Sequence, residues 1–162
     1  MANPWLLVTG VVPAVRCAAW VDRLAPVLAD VEETHEDVLC QEIYALSEDL
    51  LDEGRSVEVT TRMSPWDAVC AVLGEDRVAL LPSSRGWWLL DPATAAASLN
   101  DTERAFDLTP EQRTAGLALI EEMARAATTD VDAASLLDML PAAHRAAVRA
   151  GGGFACTVAI AY

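Results

Sequence analysis

The chain has 162 residues, of which 53% are hydrophobic and 22% are charged. This length predicts a single globular domain over residues 1–162, and the apolar fraction excludes a disordered chain. The formal net charge of −14 repels phosphate backbones and anionic lipid surfaces. We therefore expect neither nucleic-acid nor membrane binding, and a basic protein is the partner that the charge favours. All eleven basic residues are Arg, which indicates the codon usage of a GC-rich bacterium.

The cysteines and the start of the chain indicate the compartment. The four cysteines are widely separated and lie in apolar segments: Cys17, Cys40, Cys70 and Cys156. Without a Cys-x-x-Cys spacing they predict buried, reduced thiols rather than a zinc or redox site. The first 15 residues carry no positive charge and are interrupted by Gly and Pro, unlike a signal peptide. No apolar run approaches the roughly 20 residues that cross a bilayer, so we expect a soluble, cytoplasmic protein.

The first elements alternate between strand and helix. Residues Trp5 to Val12 are rich in β-branched and aromatic side chains and predict a buried strand that ends at Pro13. Apolar residues then recur at helical spacing from Ala14, although Pro26 is expected to kink or divide that helix. Residues Ser56 to Arg62 alternate apolar and polar side chains, which predicts an edge or near-edge strand with one solvated face.

An acidic helix lies between these two strands. Thr34 and Asp37 resemble a capping box, and an apolar stripe of Leu39, Ile43, Leu46 and Leu50 follows and ends at Gly54. Residues 30–53 contain ten acids and no Arg. The acids are Asp30, Glu32, Glu33, Glu36, Asp37, Glu42, Glu48, Asp49, Asp52 and Glu53. Such a run is either a solvated face or a docking surface for a basic protein.

Residues Arg77 to Asp91 predict a tryptophan-rich β-hairpin. Two short apolar runs flank a polar link that carries Pro82 and Gly86. The neighbouring pair Trp87 and Trp88 places apolar groups on both faces of the second arm. We therefore predict that this hairpin lies in the middle of the sheet, between covering helices.

The second half of the chain predicts mainly helices. Helices are expected to start at Ser64-Pro65, Asp91-Pro92 and Thr109-Pro110, with two more pieces at about 131–140 and 141–150. Residues Asn100 to Asp107 show no periodicity and predict a mobile surface loop. An apolar strand from Phe154 to Tyr162 completes a single sheet of about five strands. The predicted fold class is therefore α+β, or mixed α/β.

The sequence offers few candidates for catalysis. Glu32 and His35 have the Glu-x-x-His spacing of some metal sites, but no second copy is present, so we predict neither a metal nor a cofactor. His144 is expected to be a surface residue near the end of a helix. Cys40 lies five residues after His35, which places the two on different sides of a helix. We expect no catalytic residue.

Three functions follow from these patterns. The first is a non-catalytic protein-binding module, such as an inhibitor, immunity protein, antitoxin or adaptor. It would dock through acids of the helix: Glu36, Asp37, Glu48, Asp49 and Asp52. The second is a small-molecule-binding protein or small enzyme with a pocket beside the hairpin. Its ligand would meet two hydroxyls, a guanidinium and two indoles: Ser83, Ser84, Arg85, Trp87 and Trp88. The third is a structural subunit of a homo-oligomer, such as a homodimer.

Overall fold

The computed structural model describes residues 3–29, 36–52 and 56–160, where it contains four strands and seven helices. The strands are β1 (Trp5–Val12), β2 (Ser56–Thr61), β3 (Trp88–Leu90) and β4 (Gly153–Ile160). The helices are α1 (Ala14–Ala29), α2 (Glu36–Asp52), α3 (Pro65–Leu73), α4 (Glu75–Val78), α5 (Pro92–Ala105), α6 (Pro110–Ala126) and α7 (Ala133–Ala150). The α+β class is confirmed, and the four strands agree roughly with the predicted five.

The strands form one antiparallel sheet in the order β2-β1-β4-β3. The two central strands come from opposite ends of the chain and pair along their whole length, from Trp5 opposite Ile160 to Val12 opposite Gly153. Seven of the eight residues in each of these strands are buried. This burial explains why both strands read as nearly continuous apolar runs in the sequence. β2 lies at one edge, as its alternating pattern predicted.

Helices cover both faces of the sheet. On one face, Leu7 and Phe154 pack with buried side chains of α3, α5, α6 and α7, which form the larger core. On the other face, Leu6 and Val8 pack with α1 and α2. Because β1 and β4 present alternate side chains to the two faces, each strand contributes to both layers.

The prediction of a central β-hairpin at Arg77 to Asp91 is wrong. Its first arm forms the short helix α4 and a turn at Ala79 and Leu80, and its second arm, β3, is an edge strand that pairs with β4. The Arg77 guanidinium explains the helical turn, because it donates to the carbonyl oxygens of Arg104, Ala105 and Asp107 at 3.1, 3.3 and 3.1 Å. These oxygens lie at the end of α5, where the helix leaves its carbonyl groups without internal partners.

Two other predictions in the second half are also wrong. The expected loop at Asn100 to Asp107 belongs mostly to α5, because Thr102 and Ala105 are buried against the core. The two helical pieces after residue 131 form the single helix α7, which contains Pro141 as a buried residue. Likewise α1 continues through Pro26. In α5 and α7, the buried residues Thr102, Ala105 and Pro141 indicate that tertiary packing outweighs a local signal for a break, whereas Pro26 in α1 is exposed.

The predicted helix starts at Ser64 and Thr109 are confirmed. The Ser64 hydroxyl accepts a hydrogen bond from the Asp67 amide, and Thr109 forms a complete capping box with Gln112. Thr34 and Gly54, the predicted limits of the acidic helix, lie outside the described residues.

Candidate functional site

The acidic helix α2 buries one side and exposes the other. Its apolar stripe of Leu39, Ile43, Leu46 and Leu50 packs toward the sheet, as the spacing predicted. On the opposite side, four exposed residues follow one another at intervals of four, three and four positions: Asp37, Gln41, Tyr44 and Glu48. We call these four residues the outer stripe. Residues at these intervals share one face of a helix, so the stripe has an acid near each end and a tyrosine between them.

A buried polar contact fixes α2 to the sheet. Ser47 has no exposed surface, and its hydroxyl donates to the Ile43 carbonyl oxygen at 2.9 Å and lies 2.5 Å from the hydroxyl oxygen of Thr157 on β4. Because buried hydroxyls need partners, this contact defines how α2 sits on β4. The outer stripe therefore lies on a helix whose position relative to β4 is fixed by this contact.

The side of α2 that faces α1 is paired with bases. The Arg16 guanidinium forms a salt bridge with Asp49, and the Trp20 indole N–H donates to the same carboxylate at 2.6 Å. The Arg23 Nε atom lies 2.5 Å from a Glu42 carboxylate oxygen, and its guanidinium lies 4.6 Å from the Trp20 ring centroid. Arginines of α1 therefore form ion pairs with acids of α2, which has no arginine of its own.

The five acids predicted to dock a partner thus have different positions. Asp37 and Glu48 are exposed on the outer stripe. Asp49 is half-buried in its contacts with α1. Glu36 and Asp52 are the first and last residues of α2, and their side chains lie outside the described part of the structure.

This difference predicts that two neighbouring substitutions have effects of different size. We expect Asp49→Ala to lower the free energy of unfolding by about 1–2 kcal/mol, because it removes a partly screened salt bridge and a charge-assisted hydrogen bond. Glu48→Gln is the matched control and is expected to change stability by less than about 0.5 kcal/mol, as for an exposed side chain. Urea denaturation curves of the two variants measure both values, and equal stabilities would contradict the structural role of Asp49.

A groove with mixed walls adjoins the outer stripe. It has a volume of about 540 Å³ and is lined by Asp37, Cys40, Gln41, Tyr44, Ala45, Glu48, Ala159 and Ile160. Ile160, at the end of β4, is partly exposed there. The groove therefore combines an apolar wall with two acids on its border.

A second cleft lies between α1 and α2. It also has a volume of about 540 Å³, and it is lined by Val15, Arg16, Ala19, Trp20, Arg23, Ala45, Glu48 and Asp49. Val15 is 91% exposed at this cleft. Glu48 and Ala45 line both grooves.

Most of the aromatic surface in the segment Ser83 to Trp88 packs against other residues of the chain. Trp88 is only 6% exposed, and its ring centroid lies 5.7 Å from those of Trp66 and Phe154. The Trp87 indole N–H donates to the Val158 carbonyl oxygen at 3.1 Å, while Ser84 and Arg85 are exposed. The Trp88 indole N–H is buried and has no hydrogen-bond partner among the described residues. The structure therefore separates the buried Trp88 ring from the exposed Arg85.

Gly86 makes the close packing of this segment feasible. Its φ angle is +76°, and a Cβ atom there would lie 2.7 Å from Cδ2 of Trp66 and 2.8 Å from Cγ2 of Val158. Only glycine combines this backbone conformation with that approach.

His144 is not the surface residue that its sequence context predicted. It has no exposed surface, because α7 turns it into the larger core. One ring nitrogen lies 2.9 Å from the Thr102 hydroxyl and the other 2.7 Å from the Ala95 carbonyl oxygen. The ring stacks on Phe154 at a centroid distance of 4.2 Å. Burial lowers the pKa of His144, so it is a neutral core residue rather than an accessible base.

The thiols of Cys17, Cys70 and Cys156 are similarly unsuited to nucleophilic chemistry. Cys17 and Cys156 are buried, Cys40 and Cys70 are half-buried, and all four are free cysteines. Burial raises the pKa of Cys70 to about 11 and also raises the pKa values of Cys17 and Cys156. A thiol with a raised pKa remains protonated at neutral pH and is a poor nucleophile.

A third cleft lies among α5, α6 and α7 and has a volume of about 470 Å³. Three of its lining residues are arginines, and each is paired with an acid: Arg104 with Asp101, Arg113 with Asp138 and Arg145 with Glu103. Because these pairs neutralise the guanidinium charges, the cleft is not a strong anion site.

The described part of the chain contains neither a metal-binding cluster nor a membrane-spanning helix. Within residues 3–29, 36–52 and 56–160, no group of three or more His, Cys, Asp or Glu side chains is arranged to hold a metal ion. His35 and its neighbour Glu32 lie outside those ranges. None of the helices in the same ranges is both long and apolar enough to span a bilayer.

Comparison with known proteins adds no assignment to this geometry. No protein-family model, curated protein or solved structure matches the chain.

Proposed function

We propose that this chain is a non-catalytic, cytoplasmic protein-binding module of a GC-rich bacterium, and that the outer stripe of α2 binds a basic protein. The observation that carries the proposal is the arrangement of Asp37, Tyr44 and Glu48 on one exposed face, beside a groove of about 540 Å³. Protein interfaces commonly combine an aromatic or aliphatic centre with a polar rim. Tyr44 and Ile160 would form that centre, and the two acids the rim.

The chemistry of the stripe favours a partner of a particular kind. A Lys or Arg side chain can place its charge beside a carboxylate while its aliphatic stem covers an apolar wall. We therefore propose a basic segment that carries an apolar residue between two cationic ones. The apolar residue would enter the groove at Tyr44, and the cations would meet Asp37 and Glu48.

The charge of the whole chain supports the same partner. A net charge of −14 attracts a basic protein over long distances and raises its rate of encounter. Asp49 and Glu42 would contribute less to this attraction, because Arg16 and Arg23 offset their charges. Among the described side chains of α2, Asp37 and Glu48 are exposed acids that a partner can contact.

The state of the reactive side chains supports binding rather than catalysis. His144 is enclosed with both nitrogens occupied, and burial keeps Cys17, Cys70 and Cys156 protonated. An inhibitor, immunity protein, antitoxin or adaptor needs none of these groups. The alternative of a small-molecule site at Ser83 to Trp88 has one supporting observation: the indole N–H of Trp88 has no hydrogen-bond partner among the described residues.

Affinity capture with matched variants tests the proposal. The immobilised protein, the double variant Asp37→Asn/Glu48→Gln and the control Glu121→Gln/Glu122→Gln would each be exposed to lysate of the source bacterium. Glu121 and Glu122 are exposed acids on α6, so the control removes the same charge elsewhere. We expect a basic protein that the parent chain and the control retain and the stripe variant loses. Equal retention by all three proteins would exclude the outer stripe as the binding site.

A further inference from the structure

The cleft among α5, α6 and α7 carries side chains of both charges. Its lining contains as many arginines as acids, although the whole chain has a net charge of −14. The arginines are Arg104, Arg113 and Arg145, and the acids are Glu103, Asp107 and Asp138. The volume of about 470 Å³ lies within the roughly 300–1,000 Å³ of small-molecule sites. The cleft therefore differs in charge from the acidic chain around it and is large enough for a small ligand.

Apolar side chains form the floor of this cleft. Leu137 and Pro141 of α7 are buried, and Phe106 at the end of α5 is half-buried. Leu137, Pro141 and Arg145 follow one another at intervals of four residues, so α7 presents them on one face. A bound molecule can therefore place an apolar group on the floor while its polar groups meet the charged side chains.

The arginines of the cleft differ in how firmly they are paired. Arg113 binds Asp138 through two hydrogen bonds, of 2.7 and 2.8 Å. Arg104 and Arg145 each make one longer contact with an acid, at 3.3 and 3.5 Å, and both partners in each pair are about half exposed. Exposed pairs of this kind contribute little to stability. Because a guanidinium group has five N–H donors, Arg104 and Arg145 retain donors for the carboxylate of a ligand.

Asp107 supplies the opposite charge. Among the described residues, no basic side chain forms an ion pair with its carboxylate, although its backbone carbonyl oxygen accepts a hydrogen bond from Arg77. The Asp107 side chain is exposed and lines the cleft. An ammonium group of a ligand can therefore donate hydrogen bonds to this carboxylate.

These features together favour a ligand that carries both charges. A simple anion fits poorly, because an acid already lies beside each arginine. We infer that this cleft binds a free α-amino acid with a large apolar side chain. The carboxylate of the ligand binds Arg104 and Arg145, and its ammonium group binds Asp107. Its side chain covers Phe106 and Leu137, where an aromatic ring can stack on the ring of Phe106.

This site is separate from the outer stripe of α2. Helices α5, α6 and α7 pack in the larger core on one face of the sheet, whereas α2 packs on the opposite face. The inference therefore goes beyond the proposed docking of a basic protein, and either one can fail without the other.

Titration of the isotope-labelled full chain with L-phenylalanine, followed by NMR, tests the inference. We expect saturable shifts of the amide signals of residues 103–107 and 137–145, with a dissociation constant of about 1 mM or lower. Three related compounds each lack one of the recognised groups. Hydrocinnamate lacks the ammonium group, phenethylamine lacks the carboxylate, and glycine lacks the apolar side chain. Each should bind about fivefold or more weakly than L-phenylalanine.

Substitutions in the cleft should act on one group of the ligand at a time. Asp107→Asn should raise the dissociation constant of L-phenylalanine about fivefold or more, and it should not weaken hydrocinnamate, which has no ammonium group. Arg104→Gln/Arg145→Gln should weaken L-phenylalanine to a similar extent without weakening phenethylamine. The control Arg125→Gln/Arg149→Gln removes two exposed arginines of α6 and α7 outside the cleft and should bind like the parent chain.

Several results would overturn the inference. One is the lack of saturable binding of L-phenylalanine up to about 20 mM. Others are shifts confined to residues outside the cleft, or equal affinity for L-phenylalanine and the three related compounds. The inference also fails if Asp107→Asn or the double arginine variant binds L-phenylalanine as well as the control does. The same NMR spectra show whether each variant is folded.

Discussion

Deletion of residues 154–162 is expected to leave the chain unfolded or insoluble. β4 occupies the second central position of the sheet and pairs with both β1 and β3. Phe154 and Cys156 pack in the larger core, while Ala155 packs on the opposite face. Burial of a large apolar side chain contributes about 1.5–3 kcal/mol. Loss of the whole strand, with its pairing to β1 and β3, therefore removes a stabilisation comparable to the roughly 5–15 kcal/mol by which a typical domain is stable.

Solubility, far-UV circular dichroism and a urea titration measure this effect. The full chain should show one cooperative transition that the shortened chain lacks. A soluble shortened chain that unfolds cooperatively would contradict the central position of β4.

Substitution of His144 by alanine should lower the free energy of unfolding by about 3 kcal/mol or more. It leaves a cavity beside Phe154 and removes hydrogen bonds to Thr102 and to the Ala95 carbonyl oxygen. His144→Gln is a milder change that retains a polar group, and it should be less destabilising. A loss below about 0.5 kcal/mol in His144→Ala, typical of surface sites, would contradict the burial of this ring.

The same residue should make stability depend on pH. Burial lowers the pKa of His144 in the folded chain, so the unfolded chain binds the proton first as the pH falls. The free energy of unfolding should therefore decrease as the pH is lowered from about 6.5 toward the folded-state pKa. Above about pH 6.5, the contribution of the neutral His144 ring to stability should be complete.

Thermal or urea unfolding between about pH 7 and about pH 5 reports this slope. His144→Gln should reduce the slope of the free energy of unfolding against pH. His35→Gln is the control for the other histidine, and this variant should keep the part of the slope that His144 causes. Asp91 and Asp132, whose pKa values are lowered by hydrogen bonds to Thr94 and Ser135, lose their stabilising effect only nearer the usual pKa of Asp, about 3.9. An unchanged slope in His144→Gln would show that the ring does not control this range.

The parts of the fold that the sequence predicted correctly depend on local patterns. The continuous apolar runs at Trp5 and Phe154 predicted the two central strands, and the alternation after Ser56 predicted an edge. The caps at Ser64 and Thr109 contain their own hydrogen-bond partners within three residues. Such signals need no knowledge of the rest of the chain.

The errors arose where distant contacts decide the structure. Val78 to Leu81 is a short apolar run that suits a strand or a helix, and the choice depends on the bonds of Arg77 to carbonyl groups 27–30 positions away. The partners of His144 are 42 and 49 positions away. In both cases the decisive hydrogen bonds form only in the folded chain.

The candidate site was predictable only in part, because some of its residues are placed by local spacing and others by distant contacts. The apolar spacing of α2 indicated which side of the helix is solvated, and so placed Asp37 and Glu48 on it. Asp49 was predicted to share their role, but its partner Arg16 is 33 positions away. Ile160 comes to the groove from the other end of the chain, and no local signal connects it to α2.

Association kinetics at two salt concentrations test the role of the outer stripe most directly. The measurement uses the basic protein isolated by affinity capture. Raising salt from about 0.1 M to about 1 M shortens the Debye length from about 10 Å to about 3 Å, so the association rate constant of the parent chain should fall steeply. Asp37→Asn/Glu48→Gln should associate more slowly at low salt and show a weaker salt dependence, while Glu121→Gln/Glu122→Gln should stay closer to the parent chain. The same rate constants and salt dependence in the stripe variant and the parent chain would show that the outer stripe is only a solvated surface.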